Sequence, residues 1–531
     1  MLKALRHSLR LVHVARTLAR HDALTSLDFM EQAPPPFILA QRIASLSVAW
    51  RRPDTSGLRP GEKLAKAFES LGPSFIKLGQ SMATRPDLFG EQFAEDLTSL
   101  QDRLPPFPSI EARSIIEKAL GKSLADVFTS FDDTPVAAAS IAQVHFAVTS
   151  DGREVAVKVV RPGIEAAFAR DLEMFSWLAG LIERAAPKSR RLRPTDVVAT
   201  LARSVALEMD LRVEASSASE LRENMRANSD YEIPAIDWER SAAHVLTLER
   251  VHGISLGDDA ALDKAGADRK ALAEKLVGAF LTQSLVHGFF HADLHQGNLF
   301  MGEHGQIIAV DFGIMGRLDK KTRHTLAQIL YGFILRDYEA LAQAHFDAGY
   351  VPATESMEDF AQALRAIGEP IAGRPLKEIS LGRLLAQLLE TTATFSMQTQ
   401  PQLLLLQKTM VMAEGMALSL YADVNMWEIA RPVIENWMRE NVGPRAELKS
   451  LAKDLLKSLR RLPVIIEHGE ETLASLTQDG IRLHPDTVKA LANDYRHGHK
   501  PGVSAAPFVW AFIGGILGVL VTLFLLGLTT S

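Results

Sequence analysis

The chain has 531 residues, of which 47% are hydrophobic and 23% charged, and its formal net charge is −6. This length is too great for one hydrophobic core and predicts about three folded units. The composition is that of a folded protein, and the small negative charge gives no general sign of a nucleic-acid partner. Because the sequence contains no cysteine, disulfides, zinc–thiolate sites and cysteine nucleophiles are excluded.

The N-terminus is a basic, amphipathic stretch. It carries Lys3 and a series of arginines before the first acidic residue, Asp22, and its leucines recur at near-helical spacing. Such a stretch is typical of a helix on an anionic membrane surface, of a transit peptide, or of a helix in a folded domain. The sequence leaves these three interpretations open.

The predicted elements change in character along the chain. Residues 22–115 follow a helical pattern, which is broken at Pro34–Pro36 and at Pro105-Pro106. From about Asp126 the pattern favours β-structure. Strands are predicted at Ser140–Thr149, Glu154–Val160, Val245–Leu248 and Gln306–Val310, a hairpin turn at Ser150–Gly152, and helices at 164–228 and from Ala271 onward.

This order of strands first and helices later predicts an α+β fold with two lobes, as in protein-kinase-like proteins. The predicted parts are a helical N-terminal extension at 1–115, an N-lobe with a helical insert at 116–250, a helical C-lobe at 251–470, a linker at 471–506 and one C-terminal transmembrane helix at 507–528.

The C-terminal segment Pro507–Leu528 contains no charged residue. As a helix it would extend about 33 Å, which is enough to cross a bilayer. The upstream cations Arg496 and Lys500 predict that the body of the protein is cytoplasmic. Gly514 and Gly518 form a G-x-x-x-G pattern that is typical of paired helices, so a homodimer is left open.

A polar motif near the middle of the chain predicts phosphoryl transfer from Mg-ATP. Residues 291–298 read H-A-D-L-H-Q-G-N, and an apolar strand then leads to Asp311 in a D-F-G sequence. In this pattern Asp293 orients or deprotonates the acceptor hydroxyl or water. Asn298 and Asp311 are the oxygen ligands expected for Mg²⁺. His291 and His295 are predicted to be structural.

Lys158 lies within the apolar strand sequence V-A-V-K. A buried lysine is costly unless an anion meets it, and in kinase-like folds the α/β-phosphates and a helix carboxylate do so. The candidate carboxylate is Glu214. We call residues 136–144 the covering loop, because they occupy the position of a phosphate-covering loop and are rich in alanine, which is stiffer than glycine. The predicted nucleotide contacts in this loop are Val136, Ala137, Ala138, Ala139, Ser140, Ile141, Ala142, Gln143 and Val144.

The segment after the D-F-G sequence is short. A helix is predicted to begin near Lys320 with Asp319 as its N-cap, which leaves almost no room for an activation loop. No A-P-E sequence follows. These features argue against a conventional protein kinase.

Further motifs lie on both sides of this region. They are the K-x-G-Q segment Phe75–Gln80 with Arg85–Asp87, Leu100–Asp102 followed by Pro105-Pro106, the alanine-rich loop, Glu208–Asp210, and Leu406–Thr409 with Glu414-Gly415. Together they resemble the UbiB-type atypical kinase-like proteins, which are linked to ubiquinone biosynthesis in bacteria and mitochondria. The resemblance covers roughly residues 60–440. It implies that Lys77 and Gln80 face the nucleotide site near Glu208 and Asp210.

The resemblance also implies a function. It indicates a membrane-anchored, Mg-ATP-dependent kinase-like ATPase that is required for or regulates ubiquinone biosynthesis, with ATP and Mg²⁺ as cofactors. A single C-terminal span favours a bacterial inner-membrane protein with its catalytic body in the cytoplasm. The expected partners are a membrane lipid or prenylated quinone precursor and other ubiquinone-biosynthesis proteins. The alternatives are a small-molecule or lipid phosphotransferase, and a nucleotide-switched scaffold for a quinone-synthesis complex.

Overall fold

The computed structural model divides the chain into two units, Met1–Ala446 and Glu447–Ser531. The residues that the structure describes all belong to the first unit: 2–23, 57–83, 91–97, 100, 105–185, 194–372, 387, 395–397 and 400–441. The predicted linker at 471–506 and the predicted transmembrane helix at 507–528 lie outside these residues, as do the motif residues 85–87 and 101–102.

The N-terminal extension is helical, as predicted. Its helices are α1 (Leu2–Arg20), α2 (Pro60–Leu71), α3 (Pro73–Ala83) and α4 (Glu91–Leu97). Pro60 and Pro73 each occupy the first helical position, where the missing N–H would have no partner in any case. Gly72, with φ of 101°, makes the bend between α2 and α3.

Helix α1 packs against the folded unit. Val14 is buried and Leu11 and Leu18 are partly buried in a core that also contains Leu64 and Phe68 of α2. This packing favours the third interpretation of the basic N-terminus, a helix of a folded domain. Val12, one of the apolar residues in the sequence pattern, is half exposed.

The N-lobe is built on an antiparallel sheet with strand order β1-β3-β4-β6, and β2 pairs with β3. The strands are β1 (Phe128–Phe131), β2 (Ala137–Ala138), β3 (Ala142–Thr149), β4 (Glu154–Val160) and β6 (Val245–Glu249). The predicted strand at Glu154–Val160 and the hairpin turn before it are confirmed. Gly152, with φ of 85°, occupies the turn.

Helix α5 (Ser109–Leu120) and the short α6 (Leu124–Val127) cover one face of this sheet. Because Ala112 and Ile116 of α5 are fully buried against strand residues such as Val157, α5 belongs with the N-lobe. The predicted boundary at residue 115 therefore falls inside a helix of the N-lobe.

The helical insert lies between β4 and β6. It consists of α7 (Ile164–Ala185), α8 (Pro194–Glu208) and α9 (Leu211–Asn224). Helices α7 and α8 pack against each other, and α9 contacts β6 of the sheet. Asp210 caps α9 by accepting a hydrogen bond from the Arg212 N–H.

The C-lobe is mainly helical, with helices α10 (Asp259–Lys264), α11 (Arg269–Leu281), α12 (Lys320–Leu335), α13 (Tyr338–Ala348), α14 (Met357–Ala372), α15 (Pro401–Leu420) and α16 (Met426–Asn441). Helix α11 packs against α15 and α16. It continues into a π-helical turn, Thr282–His287. The predicted α12 N-cap is confirmed, because Asp319 accepts a hydrogen bond from the Thr322 N–H at 2.7 Å.

Short strands interrupt the C-lobe helices more often than the sequence predicted. The strands β5 (Tyr231–Glu232), β7 (Ile254–Ser255), β9 (Leu299–Met301) and β10 (Ile307–Ala309) form one sheet, and β8 (Phe289–His291) pairs with β11 (Met315–Arg317). Strands of two or three residues are too short to show a period of two, so the sequence pattern missed all of these except β10.

One helix in the described part of the chain, Gln402–Leu420 within α15, is long and apolar enough to span a membrane. However, Leu406, Met410, Ala413 and Ala417 of this helix belong to the C-lobe core. We therefore treat it as a core helix, distinct from the predicted span at 507–528.

Candidate nucleotide site

Lys158 lies between two carboxylates. Its ammonium contacts both carboxylate oxygens of Glu214, at 2.8 and 2.9 Å, and Oδ1 of Asp311 at 3.2 Å. Strand β4 supplies the lysine, α9 supplies Glu214, and the D-F-G sequence supplies Asp311. Three segments that are distant in sequence therefore meet at one point between the two lobes.

Mutual attraction and burial set the charges of this cluster. The Lys158 ammonium holds the pKa of Asp311 at about 2. Burial opposes the charge of Lys158, but Asp311 and Glu214 together raise its pKa above the ordinary value. Burial raises the pKa of Glu214, although the attraction of Lys158 opposes this shift. Lys158 and Asp311 are thus charged at neutral pH.

The backbone at Asp311 adopts an uncommon conformation. Its φ is 62°, in the left-handed region that few residues other than glycine, asparagine and aspartate occupy. Backbone strain of this kind clusters at functional sites. Phe312 is buried edge-on against the His291 ring, with centroids 5.5 Å apart.

The loop that carries Asp293 is held by its own side chains. The Asn298 amide nitrogen donates to the Asp293 backbone oxygen at 3.1 Å and to its carboxylate at 3.4 Å. His295 Nε2 lies 3.5 Å from the same carboxylate. The Asp293 carboxylate therefore has two neighbours from its own loop, Asn298 and His295, and the structural role of His295 stays a prediction.

His291 fixes the base of this loop. Its Nδ1 accepts a hydrogen bond from the Asp293 N–H at 3.1 Å, so Nε2 carries the proton and donates to the Val310 carbonyl at 3.1 Å. Burial lowers the pKa of His291, which favours this neutral form. Because Val310 directly precedes Asp311, one imidazole links the loop that carries Asp293 to the D-F-G sequence.

Sequence reasoning assigned no contact to two residues near His291 and its neighbour, although one of them, Thr409, belongs to the Leu406–Thr409 motif. Gln283 is fully buried in the π-helical turn, and its Oε1 accepts a hydrogen bond from the His291 N–H at 3.0 Å. Thr409 of α15 is also fully buried, and its hydroxyl lies 2.8 Å from the Leu405 carbonyl of its own helix and 3.4 Å from the Ala292 carbonyl. Neither residue has a distinctive signal in the sequence, because Gln283 lies between Thr282 and Ser284 and Thr409 follows Gln407 and Lys408.

The covering loop forms a tight turn beside Lys158. Val144 is the cross-strand partner of Lys158 and lies on the same face of the sheet. The Ala139 N–H donates to the Ala142 carbonyl at 2.8 Å, which closes the turn around Ser140 and Ile141. Among the described residues, the buried Ser140 hydroxyl has no hydrogen-bond partner.

Gln143 is placed differently from the prediction. It neighbours Val144 in β3, so its side chain lies on the face opposite Lys158. There its amide binds the backbone of Phe107, at 2.9 Å to the N–H and 3.2 Å to the carbonyl. The predicted nucleotide contact is therefore not made by this side chain, because the alternation of the strand directs it into the other half of the lobe.

The K-x-G-Q helix, α3, contacts the end of α8. Lys77 is buried and forms a 2.7 Å ion pair with Glu208. Asp210 instead faces Arg212, which it binds through both carboxylate oxygens. The structure thus pairs Lys77 with Glu208, while the Asp210 carboxylate, two residues farther along the chain, is engaged by Arg212. Gln80 lies on the same helix and is partly buried.

The cluster suits a hard cation bound together with phosphate. Among the described residues, no group of three or more His, Asp or Glu side chains converges as a metal site. Mg²⁺ commonly takes only one or two protein carboxylates and completes its shell with phosphate oxygens and water. Because the Asn298 nitrogen donates to Asp293, its oxygen is the atom left to accompany Asp311 as a ligand.

Family models match most of the described chain. Residues 99–345 match the model for the ABC1 atypical kinase-like domain. Residues 364–425 match the model for the UbiB helical domain. The first match contains Lys158, Glu214, Asp293, Asn298 and Asp311.

Whole-chain relatives agree with these matches. The chain is 41% identical over 475 residues to a probable protein kinase UbiB of Marinobacter nauticus, covering 89% of this chain and 86% of the relative. It is 40% identical to a protein of the same name from Aeromonas hydrophila, covering 87% and 85%. A solved Mycobacterium tuberculosis structure, the Rv3197–erythromycin complex, is 22% identical, covers 76% of this chain and 98% of that chain, and has a TM-score of 0.48. This last likeness is too distant to add to the fold assignment.

Proposed function

The chain belongs to the UbiB family of ABC1 atypical kinase-like proteins, and from this we propose that it is a Mg-ATP-dependent, kinase-like ATPase that supports ubiquinone biosynthesis. The observation that carries the proposal is the position of Lys158, which contacts Glu214 and Asp311 at once. A buried ammonium with this surrounding is suited to the α/β-phosphates of ATP.

Each residue of the cluster has a proposed role. Lys158 holds the α/β-phosphates and is oriented by Glu214. Asn298 and Asp311 hold Mg²⁺, which neutralises charge on the phosphates when bound. Asp293 orients or deprotonates the attacking water or hydroxyl. The unpartnered Ser140 hydroxyl gives the covering loop a donor for a phosphate oxygen.

The short connection after the D-F-G sequence supports an acceptor other than a protein. Strand β11 pairs directly with β8, with Met315 opposite His291, and α12 begins at Lys320. A peptide substrate would need a binding platform such as an activation loop provides, and this connection has no room for one. Water or a small hydroxyl compound is therefore the proposed acceptor.

We place the protein at the bacterial inner membrane, with its catalytic body in the cytoplasm. This part of the proposal rests on the uncharged sequence 507–528 and the cations before it. The proposed partners are a membrane lipid or prenylated quinone precursor and other proteins of ubiquinone biosynthesis.

The test of this function is the Asp311→Asn variant. Asparagine tolerates the left-handed backbone of this position, so the fold should be retained. The loss of one magnesium-binding carboxylate should lower Mg-dependent ATP turnover by roughly 10²–10³-fold. The matched control is Asp337→Asn at the N-cap of α13, where asparagine caps as well as aspartate. Equal turnover in the Asp311→Asn variant and the wild type would contradict the proposed function.

A further inference from the structure

Helix α9 extends from one hydrophobic core of the protein into another. Leu211 and Ala215, near its start, are buried in the core that contains the N-terminal helices. Ala218 and Leu221, farther along, are buried in the core of the C-lobe. Glu214 lies in the first of these parts, where its carboxylate contacts the lysine of β4. The position of α9 therefore decides whether this carboxylate reaches the lysine.

Small changes in the rotation of α9 would separate this pair. A side-chain tip lies about 5–6 Å from a helix axis, so a rotation of about 20° would move the Glu214 oxygens by about 2 Å. That displacement is enough to break the 2.8 Å contact with Lys158. Apolar packing has no preferred direction, and two of the buried residues of α9 are alanines. A second directional contact on α9 would therefore protect the pair.

Glu220 and Arg317 form such a contact. Arg317 donates from Nη1 and Nη2 to the two carboxylate oxygens of Glu220, at 2.9 and 2.7 Å. Two parallel hydrogen bonds fix the relative orientation of the two groups as well as their distance. Glu220 follows Glu214 by six positions, which places it about 120° away around the helix. A rotation that moves Glu214 would therefore also break the bonds to Arg317.

Arg317 is itself held on the C-lobe. It lies at the end of β11, and its cross-strand partner in β8 is Phe289. The guanidinium carbon lies 4.4 Å from the centroid of the buried Phe289 ring, which is a favourable cation–π distance. The next residue, Leu318, donates its N–H to the Gly288 carbonyl at 2.8 Å. The arginine therefore attaches α9 to a firmly paired part of the C-lobe.

The segment from Phe312 to Arg317 meets α9 at two places. At one end the Phe312 N–H lies close enough to the Glu214 carboxylate to oppose the rise of its pKa. At the other end Arg317 binds Glu220. The two glutamates are about 9 Å apart along the helix axis, at 1.5 Å per residue. One short segment after Asp311 therefore restrains α9 over more than one helical turn.

We propose that Glu220 and Arg317 act as a clasp that fixes the rotation of α9 and thereby raises the affinity of the site for nucleotide. The clasp acts indirectly, by keeping Glu214 at Lys158, so both of its members are positioning residues. A lysine that is already oriented loses less side-chain freedom when it binds a phosphate. The inference rests on the proposed function for the identity of the ligand.

The size of the effect follows from the exposure of the clasp. The Arg317 side chain is 63% exposed and that of Glu220 is 40% exposed, and most exposed ion pairs contribute little. Bidentate arginine–carboxylate geometry is an exception, and the Phe289 ring holds the guanidinium in place. We therefore expect effects of about fivefold, which correspond to about 1 kcal/mol.

The first test is a double-mutant cycle between Glu220→Gln and Arg317→Met. Glutamine removes the charge, and methionine removes the donors while its sulfur stays in contact with the Phe289 ring. Hydrogen exchange of the α9 amides 214–221, measured without nucleotide, should rise about fivefold in each single variant. It should also rise only about fivefold in the double variant, because either change opens the same clasp. The Kd for a fluorescent ATP analogue should follow the same pattern.

The matched control for this cycle is Arg113→Met. Arg113 also binds a carboxylate, that of Asp133 at 2.8 Å, and lies 5.1 Å from the centroid of an aromatic ring, that of Phe131. However, it belongs to α5, which covers the N-lobe sheet, so the control should match the wild type in both measurements. Wild-type exchange in both single variants, or a rise of about 25-fold in the double variant, would overturn the inference.

The second test asks whether the clasp acts through Glu214. Alanine at this position removes the carboxylate and suits a helix. If the clasp positions Glu214, Glu220→Gln should raise the Kd about fivefold in the wild type and change it by less than about twofold in Glu214→Ala. Hydrogen exchange of α9 should rise in both backgrounds. An equal rise of the Kd in both backgrounds, or raised exchange with an unchanged Kd in the wild type, would contradict the positioning role.

The two readouts separate this inference from the proposed function. Hydrogen exchange is measured without nucleotide and depends only on how firmly the clasp holds α9. If the wild type binds no ATP analogue, the proposed function fails, and the exchange data of the first cycle still decide whether Glu220 and Arg317 fix the helix.

Discussion

At the scale of single residues, the Lys158 cluster contains one cation between two carboxylates. Glu214 is almost fully buried, while the Asp311 side chain is 47% exposed. The buried carboxylate can only be a partner for the lysine, and the exposed one is open to a further cation. This difference in exposure fits the proposed roles, in which Glu214 positions the lysine and Asp311 binds a metal, although both are acids beside the same lysine.

A buried histidine away from the site predicts the pH dependence of stability. His345 of α13 donates from Nδ1 to the Leu341 carbonyl and packs against Phe360, with ring centroids 5.2 Å apart. Burial lowers its pKa from 6.5 to about 4. The unfolded chain binds a proton on His345 more tightly than the folded chain does. The contribution of the neutral, buried imidazole to the free energy of unfolding is therefore complete above about pH 6.5 and is lost as the pH falls toward 4. Between pH 7 and 4.5 it amounts to roughly 2 kcal/mol.

The variant His345→Phe should lack this dependence. Phenylalanine keeps the planar ring among its aromatic neighbours and cannot be protonated. Urea unfolding at pH 7 and 4.5 should show a smaller loss of unfolding free energy in the variant than in the wild type, by roughly 2 kcal/mol. An equal loss in both proteins would mean that His345 does not carry the effect.

At the scale of elements, α1 is attached to the insert by one nearly buried ion pair. Arg10 donates to both oxygens of Asp171 in α7, at 3.0 and 3.1 Å, and the Asp171 side chain is only 4% exposed. Arg10→Met would remove both hydrogen bonds to this buried carboxylate and leave it the exposed Arg170, 4.0 Å away. Because Arg10 itself is 23% exposed, we expect a loss of about 2 kcal/mol of unfolding free energy, less than for a fully buried pair.

Two further variants check this prediction. Arg16→Met changes an exposed arginine of the same helix and should alter stability by no more than about 0.5 kcal/mol. Adding Asp171→Leu to Arg10→Met should restore most of the loss, because no unpaired charge then remains. A loss of equal size in Arg10→Met and Arg16→Met would refute the specific role of the pair.

The glycine of the K-x-G-Q helix also has an explanation at this scale. Gly79 has no Cβ, and this lets Leu100 and Phe68 lie directly against α3. The lysine of the same motif forms the ion pair with Glu208. Gly79 therefore packs α3 within the N-terminal extension, and Lys77 of the same motif attaches α3 to the end of α8 in the insert.

At the scale of the whole molecule, the sequence predicted the α+β kinase-like fold and the N-lobe hairpin correctly. It also named Glu214 as the partner of Lys158, whereas it predicted Asp311 as a magnesium ligand and not as a contact of this lysine. These successes have a physical cause. A lysine within an apolar strand and an aspartate that directly follows such a strand both need an oppositely charged partner, so few arrangements of the chain satisfy the two residues. The predicted transmembrane helix stays a prediction, because residues 507–528 lie outside the described chain.

Other features could not be predicted from a single sequence. The direction of the Gln143 side chain depends on strand register, and a shift of one residue would reverse it. The short strands β8 and β11 exist because each pairs with the other, a tertiary contact with no local signal. The packing of Leu11, Val14 and Leu18 of α1 depends in the same way on the helices that α1 meets.

The measurement that tests the central claim most directly is the fate of the γ-phosphate of ATP. Purified protein in liposomes that contain a prenylated phenol is given γ-labelled Mg-ATP, and the Asp293→Asn variant serves as the control. We predict that the label appears as free phosphate in the wild type and stays on ATP in the variant, since the proposed role of Asp293 is to orient the attacking water. Label in the phenol would identify a lipid kinase instead, and label that stays on ATP in the wild type would contradict an ATPase altogether.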